Sequence, residues 1–387
     1  RVEMPKLGLD YDSDPSPRRL TRPFATDPAA VPAIGEVDRT VFRARELQKG
    51  REYAEARRLF GEALDREPWH REALLGLAEL DYRSARYGEG LGRVRRCLQL
   101  DAYDARANFL AGTIYRALGR TADARDALGW AARSTAYRSA AYVQLAEIMI
   151  GQRDLAEAER YARLAIDYDR HSLPGWRALA VGARLGKAPS SAREARAELL
   201  AIDPLHHLAR AEEHLDGTIA GDLGDHLGGE FPDQTLLELA VGYHNLGLPE
   251  DALKLLELPA AGPSSSIRQA WRACLRDDPA LLEDPASPEL AFPYRRESLV
   301  VLEWASARSP HWLWAYLHAL NLWAVDREDE ALTLLRGLGE GPDFAPFYVT
   351  RARLAERAEV LEPVRDLRHA VALAPQTRIL HVYLVQA

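Results

Sequence analysis

Residues 107–128 read ANFLAGTIYRALGRTADARDAL, with Gly112, Tyr115, Gly119 and Ala124 at the points that set the frame. Gly119 lies in a turn between two helices, where positive φ is expected. Working outward from Gly112, small residues recur at Ala44, Ala78, Ala146 and Ala180, each 34 residues from the next. A second column at the same spacing holds Ala56, Gly90, Ala124, Ala158 and Ala192. A third holds Ala63, Cys97, Ala131 and Ala165, continued less well by Leu199. Pro68 and Pro204 stand in a fourth, with Ala102, Ala136 and Arg170 between them. Close packing explains the columns. Two antiparallel helices approach tightly only where a side chain is nearly absent, and the next helix presses into the groove they form. Cys97 reads accordingly as a small core residue.

This layout resembles the tetratricopeptide repeat, a 34-residue helix–turn–helix. Five consecutive units share the frame: 37–70, 71–104, 105–138, 139–172 and 173–206. The frame breaks at 207–232, where an irregular helix leads into DGTIAGDLGDHLGGEFPDQ (216–234), rich in glycine and aspartate and read as a loop. Degenerate repeats occupy 233–387. The first has Ala240, Tyr243, Gly247 and Ala252 in place. The next, over roughly 267–310, carries an insertion at 277–293 whose prolines forbid a continuous helix. Two more units follow at about 312–343 and 344–377, and 378–387 starts a further helix. Residues 1–36, with six prolines among aspartates and arginines, read as an extended linker or arm. The expected fold is all-α: a right-handed superhelical solenoid of about eight or nine helical hairpins with one break and one insertion.

The bulk numbers fit that picture. The 387 residues are 47% hydrophobic and 28% charged, with a net charge of −8. A solenoid can reach this length because each repeat packs only on its neighbours. No basic groove is suggested, which excludes a sequence-independent nucleic-acid role. No apolar run is long enough to span a membrane. Cys97 and Cys274 lie far apart, with no CxxC or metal-ligand spacing, so neither a disulfide nor a metal site is expected. Because the chain starts at Arg1, we read it as a piece of a longer or processed polypeptide.

Three segments carry a closer likeness: YRSAAYVQLAEI (137–148), FPDQTLLELAVGYHNLGLPEDALKLLEL (231–258), and SPELAFPYRRESLVVLEWA (287–305) with PDFAPFYVTRARL (342–354) behind it. They resemble the C-terminal repeat region of large bacterial proteins of unknown function, in which a galactose-mutarotase-like β-sandwich precedes the repeats. The resemblance implies a carbohydrate context, with an adjacent β-sandwich domain as partner. It transfers no catalytic residue.

The inner face of such an array is lined by one face of each first helix. Its candidate binding residues are Arg45, Lys49, Tyr82, Arg83, Phe109, Arg116, Arg177, Arg184, His244, Asn245, Tyr316 and Trp323. Basic and aromatic side chains there would suit an acidic peptide, a carboxylate or a polysaccharide; an ordinary solvated face is the plainer alternative. A chaperone-type carboxylate clamp needs lysine and asparagine one turn apart. Val41 with Arg45, Leu75 with Glu79, and Phe109 with Thr113 do not supply it. Trp304, Trp312, Trp314, Tyr316 and Trp323 form a dense set that suits an interface or core packing. His206, His207, His214 and His226 gather near the frame break without a metal-ligand spacing. No GxGxxG, GxxxxGK[ST], HExxH or GxSxG occurs, and the first acid pair to consider is Glu230 with Asp233. The expected function is a protein-binding or scaffolding module without a cofactor, in the cytoplasm. The alternative is the solenoid part of a carbohydrate-active enzyme.

Overall fold

A computed structural model describes residues 2–4, 9–11, 35–227, 231–259, 265–357 and 363–386. The chain divides into two compact units, 1–73 and 74–387. In the smaller unit, β1 (Val2–Met4) pairs antiparallel with β2 (Leu9–Tyr11), Val2 opposite Tyr11. Helices α1 (Glu36–Lys49) and α2 (Tyr53–Arg66) follow as the first hairpin. Arg66 reaches Glu36 at 2.7 Å and His70 Nε2 meets Asp38 at 3.1 Å, so the open end of the hairpin is bridged. The remainder of the arm, 12–34, lies outside the described residues.

Helix α3 (Arg71–Arg83) leads into the larger unit. There α4 (Tyr87–Leu100), α5 (Ala105–Ala117), α6 (Thr121–Ala131), α7 (Arg138–Gly151), α8 (Leu155–Tyr168), α9 (Leu173–Leu185) and α10 (Pro189–Ile202) continue the regular hairpins. Among the described residues from 35 onward there is no strand. From residue 35 onward the described residues form an all-α array of tetratricopeptide-repeat type.

Every member of the three small-residue columns is buried, from Ala44 to Leu199. Gly112 shows why. A methyl group built there would meet Leu128 Cγ at 2.6 Å and the Ala124 carbonyl oxygen at 3.2 Å. Helices α5 and α6 therefore touch through backbone at this point. The turn inside each hairpin has its own register. A left-handed residue falls at Arg51, Ala85, Gly119, Arg153 and Lys187, again 34 apart, with φ between 52° and 70°. Gly119 is the only glycine of the five; the other four carry a side chain where glycine would be unstrained.

After α10 the short α11 (His207–Leu215) has no second helix. A 3₁₀ turn at Leu223–His226 buries Leu223 and Leu227 in the core. Pairing resumes with α12 (Pro232–Asn245) and α13 (Pro249–Glu257), each opened by proline in its first turn. α14 (Ser266–Arg276) and α15 (Ser298–Arg308) flank the insertion. Then come α16 (Trp312–Ala324), α17 (Glu328–Gly337), α18 (Ala345–Arg357), α19 (Pro363–Leu373) and the unpaired α20 (Arg378–Gln386).

The insertion is an ordered loop with 3₁₀ turns at Pro279–Leu282 and Pro288–Leu290. Side chains of neighbouring helices satisfy its backbone. Gln269 Nε2 donates to the carbonyls of Leu281 and Asp284 at 2.7 and 2.8 Å, and its Oε1 accepts from Ala286 N. Ser266 Oγ donates to the Ala286 carbonyl at 2.8 Å. Trp314 Nε1 donates to the Leu282 carbonyl, and Asn321 Nδ2 to the carbonyls of Pro293 and Arg295. Buried backbone groups require such partners.

Candidate functional site

The structure sorts the inner-face candidates by what already holds them. In the smaller unit, Arg45 lies 3.4 Å from Glu72, and Lys49 bonds Glu46 on its own helix; both side chains are largely exposed. In the larger unit, the ends of the first helices meet segments far along the chain. The Arg296 guanidinium lies 4.1 Å over the Tyr82 ring and donates to its hydroxyl at 2.8 Å. Arg83 approaches Asp326 at 3.6 Å. Arg116 donates to Gln144 at 2.6 Å, to Glu147, and to the Asn245 carbonyl at 3.0 Å. Next to that bond the backbones of two turns touch: a methyl group on Gly151 would lie 3.2 Å from the Leu246 carbonyl oxygen. The regular repeats are thus tied to residues 245–326.

Arg184 is the most enclosed of the charged candidates. Its Nε donates to Glu212 and its Nη2 to Asp251, both at 2.8 Å. Tyr243 donates its hydroxyl to the other Glu212 oxygen at 2.6 Å, and Lys254 reaches Asp251 at 3.1 Å. Glu212 is completely buried. Burial pushes its carboxyl above the usual range despite Arg184 and Tyr243. Burial also pushes Asp251 upward, but the hydrogen bonds and charges of Arg184 and Lys254 outweigh it and leave that carboxyl low. This network joins α9, α11, α12 and α13, and so spans the frame break.

The other candidates are mixed. The Phe109 ring packs on Tyr137 at 5.3 Å between centroids. His244 is exposed with its ring edge-on to Trp271. Tyr316 is buried among Trp312, Phe344 and Phe347, and Trp323 donates to Glu328 at 3.2 Å. Trp314 is fully buried, so that aromatic set belongs in good part to the core between α16 and α18. Asp233 is held by Arg268 at 2.5 Å and by the Ser265 amide at 2.9 Å, a buried ion pair joining α12 to α14. Glu230 lies outside the described residues. Among the described residues, no group of three or more His, Cys, Asp or Glu could hold a metal ion. No helix is long and apolar enough to cross a membrane among the described residues.

A second surface runs along the turns between repeats. Its signal was in the sequence: Trp69, Tyr103, Tyr137, His171 and Leu205 form one more 34-residue column, next to the proline column. In the larger unit Tyr103 and Leu205 are 68% and 80% exposed, and Tyr168, at the end of α8, is 54% exposed. Tyr103 leans on Trp130 with centroids 4.9 Å apart, and the Arg133 guanidinium lies 4.8 Å from the Trp130 ring. With Ala105 and Ser134 they line a shallow cavity of about 430 Å³. One repeat on, Arg138 lies 4.7 Å over Tyr168, which stacks on Tyr142 at 6.0 Å. A further cavity of about 690 Å³ lies beyond, lined by Asp167, Arg170, His171, Trp176, Glu198 and Ile202 among others.

No protein-family model matches the sequence. No curated relative matches it closely. Solved structures do resemble the chain. A tetratricopeptide repeat protein from Parabacteroides merdae has a TM-score of 0.42 and 11% identity over 74% of this chain and 98% of its own. PilW, a type IV pilus biogenesis factor, has a TM-score of 0.42 and 17% identity over 70% of this chain and all of its own. YrrB, described as a TPR protein with an unusual peptide-binding site, has a TM-score of 0.35 and 16% identity over 57% of this chain and 94% of its own. Similarity this low says nothing of function, and the fold reading rests on the chain's own 34-residue helix pairing.

Proposed function

We propose that this chain is a protein-docking scaffold whose working surface is the aromatic edge along its repeat-to-repeat turns. The observation that supports this is the outward display of Tyr103, Tyr168 and Leu205 beside Trp130, Arg133 and Arg138. Tyrosine, tryptophan and arginine are the residues that dominate binding hot spots. Large apolar side chains grouped on a surface mark interaction sites. The partner would be another polypeptide or an adjacent domain, including the β-sandwich that the sequence resemblance implies.

A second reading, a carbohydrate-handling solenoid, draws on the same rings, since exposed Tyr168 stacked on Tyr142 also suits a sugar face. One comparison separates the two. A displayed peptide library and an oligosaccharide panel are offered to the intact chain and to the Tyr103→Ser/Trp130→Ser variant. Docking predicts enriched peptides that the variant fails to retain. Saccharide binding lost in the variant, without peptide enrichment, would replace the docking reading with the carbohydrate one.

A further inference from the structure

Most of the polar side chains singled out in the larger unit are tied to one another, but Arg177 is not. Arg177 on α9 is half-buried, yet among the described residues it has no hydrogen-bond acceptor and no carboxylate partner. Its Nη2 lies 3.7 Å from where a methyl group on Gly242 of α12 would sit. One turn earlier on α12 stands Glu238, which already has three donors. It accepts from Gln234 Nε2 at 2.8 Å, from the Tyr294 hydroxyl and from Arg295 Nη2. The Arg295 Nε is buried with no partner of its own. Arg296 beside it is spent on Tyr82 and on Glu297 at 3.3 Å.

Three guanidinium groups, Arg177, Arg295 and Arg296, thus stand near the carboxylates Glu238 and Glu297, with Asp203 beside His206. Their charge is felt locally. Burial first, and then the charge of Arg177, hold His206 below the ordinary histidine value. Burial, with the like charges of Arg296 and Arg177, also lowers Arg295 against the pull of Glu297. A partly desolvated cation without a counter-ion is destabilising. Destabilising groups persist where function needs them. The free end of Arg177 rests over Gly242, where a methyl group would be in ordinary van der Waals contact with it.

We propose that Arg177 and Arg295 form an oxyanion site on the Gly242 face of α12, and that it takes the carboxylate of an acidic segment of a partner polypeptide. Arginine's planar fork matches a carboxylate with two parallel bonds. The Arg177 guanidinium has donors that no described residue uses, and the Arg295 side chain, 37% exposed, bonds only Glu238 among the described residues. These residues are separate from the aromatic edge, so the site stands or falls independently of it.

The test uses the full chain and a fluorescein-labelled hexaglutamate peptide, read by fluorescence anisotropy at low ionic strength. Saturable binding is expected, weakened by about tenfold or more in Arg177→Gln, as loss of a charge-assisted pair implies. Gly242→Leu should weaken the same peptide, because a side chain longer than a methyl group would displace the Arg177 guanidinium resting there. The melting temperature of Arg177→Gln should hold or rise, because no internal bond is lost. Absence of peptide binding, unchanged affinity in Arg177→Gln, or a lowered melting temperature in that variant would each overturn the site. Inorganic phosphate competing better than glutarate would overturn the carboxylate assignment. Retention of edge-selected peptides by Arg177→Gln would show that such a failure leaves the docking surface intact.

Discussion

Arg184→Met tests how the regular repeats are joined to the irregular ones. The Arg184 side chain is 9% exposed and holds Glu212 and Asp251, 0% and 9% exposed, at 2.8 Å each. Methionine keeps the bulk and removes the charge, leaving Glu212 with only the Tyr243 hydroxyl. Removing one partner of a buried pair costs about 3–5 kcal/mol. Two surface bridges would be worth about 1 kcal/mol or less, so the magnitude decides between a structural tie and a decorative one. The pH dependence isolates Glu212. Its folded pKa is already raised by burial, and without Arg184 it rises further. A raised folded pKa gives stability that is full below the unfolded value and is lost as pH climbs through the folded one. The depressed Asp251 behaves oppositely, but its loss is constant well above its own ordinary value of 3.8. The deficit of Arg184→Met should therefore be larger near about pH 8 than near about pH 5. Urea unfolding followed by far-UV circular dichroism at both pH values measures it. A loss below about 1 kcal/mol, or an equal loss at the two pH values, would refute the reasoning. In Arg184→Met/Glu212→Leu much of the stability should return, since apolar replacement of a whole buried pair is often neutral.

Three further outcomes follow from the packing. Gly112→Ala should destabilise by about 1–3 kcal/mol because its methyl group meets buried Leu128 and the Ala124 carbonyl, whereas Gly129→Ala, with nothing within 4 Å, should stabilise by about 0.5–1 kcal/mol; melting curves showing the same sign for both would show the register to be wrong. Lys187→Gly, at φ 52°, should stabilise by about 1 kcal/mol by relieving a left-handed non-glycine residue, and an unchanged urea midpoint would contradict the strain. Burial holds His206 and His318 below the ordinary 6.5, so both contribute stability above that value that is lost as pH falls through their folded pKa values; His318→Gln should flatten the decline in urea midpoint below about pH 6.5, and an unaltered decline would count against its burial in neutral form.

The repeat was legible in the sequence because its cause is local and periodic. Ala44 through Ala180 and Ala56 through Ala192 are small because helices touch there, and contact recurs with the repeat. The prolines that stop a helix in 277–293 were likewise readable. The turn register was only half legible. Gly119 announces positive φ, but Arg51, Ala85, Arg153 and Lys187 adopt it with no residue preference to betray them. The array imposes that geometry over local propensity. The site was least legible. Arg184 and Arg177 sit seven positions apart on α9 and look alike as sequence, yet one is enclosed by Glu212 and Asp251 while the other has no partner among the described residues. What separates them lies on α11, α12 and α13, and no pattern within a repeat records it. The aromatic edge could have been found, since Tyr103 and Leu205 occupy the same register as the proline beside them.

The ties between distant repeats change what kind of object the larger unit is. In a simple array each repeat touches only its neighbours, and stability is a sum of nearest-neighbour terms. Here Arg296 holds Tyr82 across 214 positions and Arg116 holds the Asn245 carbonyl across 129. Such contacts close long loops, so they form only after the local hairpins exist. Once formed, they couple α3 and α5 to segments that a linear array would leave independent. Tyr82, Arg83 and Arg116 of the regular repeats are then occupied by later segments of the same unit. The repeat-to-repeat edge is not so occupied: Tyr103, Tyr168 and Leu205 remain exposed. Arg177 differs because the segment that satisfies its neighbours brings two more cations, each paired with one of the nearby carboxylates. The two candidate surfaces therefore have one origin: they are where closure of the unit stops supplying partners.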